Sequence, residues 1–315
     1  MSDKVYDLII VGAGPAGLTA SLYATRAMLD SITLEQMGAG GQILTTPEID
    51  NYPGVPNTDG FTLADLMKKQ AEGLGASIVM EDVKKINKNQ ETGLFEVETS
   101  KGILNSRTVI VATGAKPRQA GFEGEEQFRG RGVSYCATCD AMFYRGKHVY
   151  VIGGGNSAVG EALFLANIVD HVTVIVRKDH MRAQVALQER LEAADNVDIM
   201  YNTSIVKVEG DNALNAITFR NNLTQELDRQ EFDEASRGVF VFVGHVPVTE
   251  TLGDLVDYSQ SGAVLTDEWM ATKTEGLYCA GDIRQCPIRQ IVTAAADGAI
   301  ATSAAAIYLG QNINS

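Results

Sequence analysis

The sequence predicts an α/β fold with two parallel-sheet domains, the second inserted in the first. A buried strand, a glycine-rich turn, a helix and a second strand follow one another at the start of the chain. The same order recurs 141 residues later, from Gly12 to Gly153. An apolar strand ending in Gly281-Asp282 and an alanine-rich helix then close the chain, and we expect these elements to rejoin the first domain.

The first motif is a strand, a turn, a helix and a strand that ends in an acid. Val5–Gly12 is a near-continuous apolar run, typical of a strand buried on both faces of a parallel sheet. The turn Gly12-Ala13-Gly14-Pro15-Ala16-Gly17 follows, and Leu18–Met28 is predicted as a helix before the strand Ser31–Glu35. The glycines permit a tight turn and the approach of backbone to a pyrophosphate, and the acid can bind a ribose. This segment predicts a dinucleotide site.

The rest of the first domain combines a loop, a helix and short strands. Met37–Asp59 is rich in turn residues and is expected to be a long loop, and Phe61–Leu74 is predicted as an amphipathic helix. Polar, glycine-containing Pro117–Gly132 is where we place the crossing into the second domain. The predicted strands, a small meander and then a buried strand, are Ser77–Val83, Phe95–Thr99, Gly102–Asn105 and Thr108–Gly114.

The second domain repeats the order of the first. The strand Lys147–Ile152 leads into the turn Gly153-Gly154-Gly155-Asn156-Ser157-Ala158, and a helix is predicted over Ala158–Ile168. Pro247 marks the return crossing, and the closing helix is predicted over Gln290–Tyr308. The further predicted strands of this domain are Val172–Val176, Asn196–Tyr201, Ser204–Glu209, Ala216–Arg220 and Arg237–Gly244.

Cations rather than an acid follow the second strand of this repeat. Arg177, Lys178 and Arg182 stand where the first motif has Glu35. Cations at this place favour a 2′-phosphate, and hence NADP over NAD. The alternative is a solvated basic patch.

Composition narrows the function classes. The 315 residues are 45% hydrophobic and 21% charged, which is typical of a globular protein of two domains. The formal net charge of -14 argues against non-specific binding to nucleic acid or an anionic membrane. No run approaches 18 uninterrupted apolar residues, and no signal-peptide pattern is seen, so we expect a cytoplasmic protein without a membrane span.

The cysteines point to redox chemistry. Cys136 and Cys139 are separated by two residues and are followed directly by Asp140. This spacing closes easily into a disulfide, and four cysteines are too few for a disulfide scaffold. Half a zinc site has the same spacing, but Cys279 and Cys286 lie far away in sequence and no nearby histidine completes a ligand set. We therefore expect a redox dithiol and no metal.

In their order and spacing, these motifs resemble the low-molecular-weight thioredoxin reductases of bacteria, a family of flavin disulfide reductases. The resemblance covers nearly the full length and implies two Rossmann-like domains of the three-layer ββα type. The FAD domain would span residues 1–116 and 245–315, and a pyridine-nucleotide domain over 117–244 would carry the dithiol. The resemblance also implies a homodimer and a thioredoxin-like partner. The segments that carry it are Gly12–Gly17, Gly40–Gln42, Asn51–Gly54, Cys136–Asp140, Gly153–Ala158, Gly281–Asp282 and Arg289–Gln290.

By position, the resemblance assigns residues to the two cofactors. Glu35 is expected at the adenosine ribose of FAD, and Asp282 at the ribityl or phosphate side. The other residues expected at FAD are Gly12, Gly14, Pro15, Ala16, Gly17, Gly41, Gln42, Asn51, Val83, Thr113, Gly114, Gly281, Arg289 and Gln290. Those expected at the pyridine nucleotide are Gly153, Gly155, Asn156, Ser157, Ala158, Arg177, Lys178 and Arg182.

One departure from the family concerns the 2′-phosphate motif. The family has His-Arg-Arg and, after three residues, Arg; the corresponding residues here are Val176, Arg177, Lys178 and Arg182. Three cations remain, so NADPH is the expected donor. Lysine cannot give the bidentate fork of an arginine, so weaker discrimination against NADH stays open, as does ferredoxin as the donor.

The dithiol and its neighbouring acid imply a mechanism. We expect Cys136 to attack a substrate disulfide, Cys139 to face the flavin and Asp140 to protonate the leaving thiolate. A non-catalytic flavin redox sensor is the alternative class, although a sensor does not need the acid. A peroxidase or a special thioredoxin-like protein as partner stays open, because partner choice depends on surface complementarity.

Overall fold

The chain is organised as two compact units. The computed structural model describes residues 4–46, 49 and 51–311, without the side chains of residues 45, 138 and 139. One unit comprises Met1–Lys116 and Val246–Ser315, and the other comprises Pro117–His245. The second unit is thus inserted in the first, and it ends one residue beyond the boundary expected from the sequence.

Strands and helices alternate in the first part of each unit and are followed by runs of consecutive strands. The strands are β1 (Val5–Val11), β2 (Ser31–Glu35), β3 (Ile78–Met80), β4 (Val83–Lys88), β5 (Phe95–Thr99), β6 (Gly102–Val111), β7 (Ala115–Pro117), β8 (Val133–Ser134), β9 (His148–Ile152), β10 (His171–Ile175), β11 (Val197–Met200), β12 (Thr203–Gly210), β13 (Leu214–Asn221), β14 (Leu227–Glu231), β15 (Arg237–Val241), β16 (His245–Pro247) and β17 (Leu277–Cys279). The α-helices are α1 (Pro15–Arg26), α2 (Gly60–Gly73), α3 (Ala137–Asp140), α4 (Asn156–Ala166), α5 (Val185–Glu192) and α6 (Ile291–Tyr308).

The first unit has a mixed sheet with a core on each face. Its strands follow the order β3-β2-β1-β6-β5-β4, with β17 also paired to β6; β4, β5 and β6 are antiparallel and the other pairs are parallel. Leu8 and Ile10 pack against α1 and α6, while Ile9 and Val11 pack on the other face with the meander residue Phe95. Both faces of β1 are therefore covered, which accounts for its continuous apolar run.

The closing helix of this unit belongs to the hydrophobic core. Among the described residues, α6 is the one helix that is long and apolar enough to cross a membrane. Ala301 and Ala305 are fully buried in the cluster that also contains Ala20 of α1. A Cβ at Gly298 would lie 2.1 Å from the Ala16 carbonyl oxygen, so the two helix backbones are in close contact. The small residues of α6 permit this approach.

The second unit has the expected three layers. Its parallel sheet has the order β11-β10-β9-β15-β8, and β12, β13 and β14 form a separate antiparallel sheet. Val149 and Val151 of β9 pack with α4, whereas Tyr150 and Ile152 pack with Phe219 and other residues of the antiparallel sheet. This is a ββα arrangement, and the predicted fold class is confirmed for both units.

Two predictions about local structure were wrong, and one strand was not predicted. Residues 102–105 and 108–111 form one ten-residue strand, β6, rather than two. Residues 78–80 pair in parallel with β2 and do not belong to the meander. The meander instead begins with β4, which was not predicted because only Ile86 of β4 is buried, while Lys84 and Lys85 are exposed. The loop predicted for Met37–Asp59 contains a 3₁₀ turn, Gly41–Thr45; residues 47, 48 and 50 lie outside the described chain.

A histidine at the start of β9 makes the stability of the second unit pH-dependent. The Nε2 atom of His148 lies 2.8 Å from the Thr173 hydroxyl, and its ring meets the His171 ring edge-on at 4.9 Å between centroids. Burial, with smaller contributions from His171 and Arg237, lowers the pKa of His148 to about 4. Its ordinary value is about 6.5, so in this range the unfolded chain binds a proton that the folded chain does not.

We therefore expect the free energy of unfolding to fall as the pH falls from about 6.5 through 4. His148→Gln keeps a hydrogen-bonding group but does not titrate. Between pH 7 and pH 5 this variant should lose less stability than the unsubstituted protein, by about 1 kcal/mol once screening of a half-buried group is allowed for. Urea unfolding at the two pH values measures the difference, with exposed His180→Gln as the control. Equal losses in all three proteins would contradict the assignment.

Candidate active site

The first glycine turn brings the ends of β1 and β6 against the start of α1. Gly12 has a φ of +98°, and a Cβ there would lie 2.5 Å from the Ala112 carbonyl oxygen. A Cβ at Gly17 would lie 1.8 Å from the Gly12 carbonyl oxygen. α1 begins at Pro15, and no side chain of the described residues caps its N-terminus. The first amides and the helix dipole therefore favour a phosphate at this turn.

Glu35 is directed at the same turn from the end of β2. Its Oε2 accepts a hydrogen bond from the Ala13 amide at 2.7 Å, and its Oε1 accepts one from the Met37 amide at 3.1 Å. These bonds fix the orientation of the carboxylate. Each oxygen keeps a lone pair for a further donor.

The segment Gly40–Gln42 packs against this turn. A Cβ at Gly41 would lie 3.1 Å from the Gly14 Cα, and a Cβ at Gly114 would lie 3.8 Å from the Gln42 Nε2. The structure thus brings together three of the segments that the sequence singled out. They meet beyond the carboxyl ends of parallel strands, where α/β sheets bind ligands.

Two further expected residues meet although they are 239 positions apart. The Asn51 side-chain amide donates to the Gln290 Oε1 at 3.0 Å. Gln290 is the N-cap of α6 and forms a capping box with Thr293. The Thr113 hydroxyl donates to the Val248 carbonyl at 2.6 Å, which ties the end of β6 to the returning chain.

An ion pair between half-buried Arg284 and buried Asp297, which was not predicted from the sequence, holds the Gly281-Asp282 turn. The Arg284 Nε donates to the Asp297 Oδ2 at 2.6 Å, and its Nη2 donates to the Oδ1 at 3.0 Å. The Gly281 amide also donates to the Asp297 Oδ2, at 3.0 Å. Asp297 is the one charged residue of α6, and a single charge in an 18-residue apolar helix is a signal that could have revealed the pair.

The Asp282 side chain is half-buried beside this ion pair. Burial raises its pKa, the Arg289 guanidinium opposes this shift, and the Asp297 carboxylate adds to it. Within the described chain no residue forms a hydrogen bond with this carboxyl.

Val83 is another residue expected at FAD from the resemblance. Its side chain packs against the apolar cluster of Ile9 on the meander face.

The second glycine turn repeats the geometry of the first. Gly153 has a φ of +145°, and a Cβ there would lie 2.4 Å from the Phe242 carbonyl oxygen. α4 begins at Asn156 after Gly155, again without a side-chain cap from the described residues. The Asn156 Oδ1 accepts a hydrogen bond from the Gln184 amide at 2.8 Å. Ser157 is exposed and Ala158 is buried within the unit.

The cationic segment after β10 is anchored through its backbone. The Arg182 amide donates to the Gly154 carbonyl at 2.6 Å, so the segment folds back on the glycine turn. The Asn222 side chain donates to the Arg177 carbonyl at 2.9 Å, and the Asn202 amide donates to the Lys178 carbonyl at 2.9 Å. In the described chain no carboxylate lies within 4.0 Å of the three side-chain cations, which are all exposed. They are available to an anionic ligand.

The dithiol segment lies between β8 and a 3₁₀ turn, Ala141–Tyr144. Cys136 is disulfide-bonded, and Cys279 and Cys286 are free; the Cys139 side chain lies outside the described residues. α3 starts directly after Cys136, and the Asp140 amide donates to the Cys136 carbonyl at 3.3 Å. A disulfide sulfur is not a thiolate, so Cys136 in this form cannot bind zinc. In the described part of the chain no three His, Cys, Asp or Glu residues are grouped to hold a metal.

Two nucleotide-type turns and a disulfide on the inserted unit define a disulfide oxidoreductase that uses a nucleotide cofactor. Residues 6–298 match the model of the pyridine nucleotide-disulphide oxidoreductase family, and the chain belongs to this family. The family resemblance inferred from the sequence is confirmed. Membership and the relatives described next imply a flavin and a nicotinamide cofactor.

The relatives described here are all thioredoxin reductases, and each is similar to this chain over nearly its whole length. The chain is 43% identical to the thioredoxin reductase of Treponema pallidum, over 96% of this chain and 97% of that protein. It is 40% identical to the thioredoxin reductase of Peptoclostridium acidaminophilum, over 98% and 99%. Among solved structures, Lactococcus lactis thioredoxin reductase in its FR conformation has a TM-score of 0.81 and 36% identity, over 97% of this chain and 99% of that one.

Proposed function

We propose that the chain is a thioredoxin-disulfide reductase that passes electrons from NADPH through FAD to a Cys136–Cys139 disulfide and on to a thioredoxin-like protein. The observation that carries the proposal is the disulfide of Cys136, held on the same unit as a nucleotide turn. The full-length relatives named thioredoxin reductase support it. A redox sensor would not need Asp140 directly after the dithiol.

The first unit fits FAD in two respects. Side chains at Gly12 and Gly17 would collide with backbone, as expected of a tight turn that leads into a helix. The amides at the uncapped N-terminus of α1 would bind the pyrophosphate. Asp282 is a half-buried carboxyl that lacks a hydrogen-bond partner among the described residues, and a ribityl hydroxyl would supply one. Glu35 would accept from the adenosine ribose. The remaining proposed contacts are Gly14, Pro15, Ala16, Gly41, Gln42, Asn51, Val83, Thr113, Gly114, Gly281, Arg289 and Gln290.

The second unit fits a phosphorylated nicotinamide nucleotide. Three exposed cations without a carboxylate neighbour in the described chain would neutralise a 2′-phosphate, and their backbone is already anchored to Gly154 and Asn222. The pyrophosphate would lie at the uncapped N-terminus of α4. The residues proposed at this nucleotide are Gly153, Gly155, Asn156, Ser157, Ala158, Arg177, Lys178 and Arg182.

A bound flavin supplies two-electron transfer between a reduced nicotinamide and a disulfide. The Cys136 thiolate then attacks one sulfur of the partner's disulfide, which forms a mixed disulfide and releases the partner's other sulfur as a thiolate. Asp140 protonates this leaving thiolate. The Cys139 thiolate attacks the Cys136 sulfur and the intramolecular disulfide forms again. The partner's second sulfur is released as a thiolate that takes a proton from solvent, so the partner leaves as a dithiol. Two electrons and two protons have passed to the partner.

A protein rather than a small disulfide is the proposed substrate. Met142 and Phe143 lie three and four residues after Cys139 and are 62% and 73% exposed. Large apolar side chains exposed side by side are typical of an interaction surface. We also propose a cytoplasmic homodimer, as the resemblance implies.

Anaerobic reduction of the flavin tests the donor. The purified holoenzyme is mixed with NADPH or with NADH, the flavin absorbance is followed, and thioredoxin is then added. Rapid bleaching by NADPH, slower bleaching by NADH and sustained turnover with thioredoxin are expected. If neither nucleotide bleaches a flavin that dithionite still reduces, the donor assignment is wrong. A single reduction without turnover would contradict the enzyme and favour a sensor.

A further inference from the structure

A nearly buried carboxylate holds the residue that precedes the dithiol. Glu125 is 4% exposed and accepts a hydrogen bond from the Tyr135 hydroxyl at 2.7 Å. It also accepts from the amides of Ala120, Gly121 and Phe122 at 2.8, 2.6 and 3.3 Å. The carboxylate is thus fixed by the chain that surrounds it. Tyr135 in turn is fixed by a charged acceptor, which makes a strong hydrogen bond.

The Ser134 hydroxyl forms hydrogen bonds with both the amide and the carbonyl of Cys136. The Cys136 amide donates to the Ser134 hydroxyl oxygen at 3.1 Å, and that hydroxyl donates to the Cys136 carbonyl at 3.1 Å. Ser134 is 4% exposed and pairs with Phe240 in the parallel sheet. The two residues before Cys136 are therefore both immobilised, one by the sheet and one by Glu125.

The Tyr135 hydroxyl keeps its proton at the pH at which the protein would work. Burial, and then the Glu125 carboxylate, raise the pKa of the Tyr135 hydroxyl. The hydroxyl accordingly remains a neutral donor. The Arg129 guanidinium, 5.2 Å from the centroid of the Tyr135 ring, packs on the same side chain.

We propose that Tyr135, held by Glu125, is a positioning residue that keeps Cys136 in the geometry of the closed disulfide and so lowers the reduction potential of the dithiol. The proposal rests on the proposed function, in which the dithiol reduces a partner protein. A lower reduction potential makes the dithiol a stronger reductant for that partner. Reduction of the disulfide takes two electrons and two protons and yields two thiols. A segment that is already ordered gains little conformational freedom when the disulfide opens, so the closed form is favoured.

The test removes one hydroxyl and measures the potential. Tyr135→Phe holoenzyme is equilibrated with dithiothreitol buffers, in which each dithiothreitol gives two electrons and two protons and becomes its cyclic disulfide. Alkylation then counts the protein thiols. We expect the equilibrium constant for reduction of the disulfide to rise about tenfold. By the two-electron relation, this corresponds to a rise of about 30 mV in the reduction potential. Glu125→Gln, which keeps an oxygen acceptor but removes the charge, should give a smaller rise.

Tyr150→Phe is the matched control. Tyr150 lies in the same unit, is 2% exposed, and its hydroxyl bonds the Arg237 guanidinium instead of Glu125. We expect its potential to be unchanged even if the variant is less stable to urea. Equal potentials for Tyr135→Phe and Tyr150→Phe would overturn the proposal and leave Tyr135 with a role in stability alone.

Kinetics separate this proposal from the proposed function. Tyr135→Phe should slow thioredoxin reduction several-fold, with the rate of flavin bleaching by NADPH unchanged. If the unsubstituted protein does not reduce thioredoxin, the proposed function fails, yet the difference in potential still decides whether Tyr135 positions Cys136. A slower bleaching step in Tyr135→Phe would contradict a role confined to the dithiol.

Discussion

Cys136→Ser is expected to abolish thioredoxin reduction, by roughly a thousandfold or more, while NADPH still bleaches the flavin. A serine oxygen can neither close the disulfide nor attack a partner disulfide at neutral pH, because only a thiolate has the required nucleophilicity. The loss should therefore appear in turnover and not in the half-reaction with NADPH. Stopped-flow absorbance and a thioredoxin-coupled assay measure the two steps separately.

Cys286→Ser is the control for this substitution. Cys286 is a free, part-buried thiol of the first unit, and burial raises its pKa, so it is a poor nucleophile. We expect normal turnover from this variant. Turnover with thioredoxin by Cys136→Ser would show that the assigned roles of Cys136 and Cys139 are wrong.

The double variant Arg177→Ala/Arg182→Ala is expected to lose roughly a hundredfold in kcat/KM for NADPH, with little change for NADH. Each arginine would give a charge-assisted hydrogen bond to the 2′-phosphate, and such bonds typically contribute about 1.5–3 kcal/mol. The backbone anchors to Asn222 and Gly154 involve main-chain atoms of the arginines and do not depend on their side chains. The segment should therefore keep its conformation. Steady-state kinetics with both nucleotides measure the change in discrimination.

Two further variants complete this experiment. Arg190→Ala removes an exposed arginine from α5 of the same unit and should change neither value. Lys178→Arg supplies the bidentate fork that the family motif has, and should sharpen the preference for NADPH. Equal losses for NADPH and NADH in the double variant would mean that the cations act on a part of the nucleotide common to both.

Strong local signals allowed much of the fold to be predicted. β1 and β2 lie where the apolar runs place them, and both glycine turns stand between a strand and a helix. α1 begins at Pro15 and α4 at Asn156, respectively three and two residues before the predicted starts, because residues of the turns already adopt helical geometry. β4 was missed because five of its six side chains are not buried, so its alternation is too weak to be a signal.

In the candidate site, some features were predicted from short segments of sequence and others depend on the tertiary structure. Glycine spacing, the terminal acid or cations of a strand and the paired cysteines are properties of short segments, so local pattern alone predicted the family, the two nucleotide motifs and the dithiol; the family is confirmed by the matched family model and the relatives. The tertiary structure decided which polar groups outside these motifs meet: Asn51 with Gln290, Asp297 with Arg284, and Glu125 with Tyr135. Such pairs leave no periodic signal, because a polar side chain is satisfied by whatever donor or acceptor the packed backbone brings within about 3 Å.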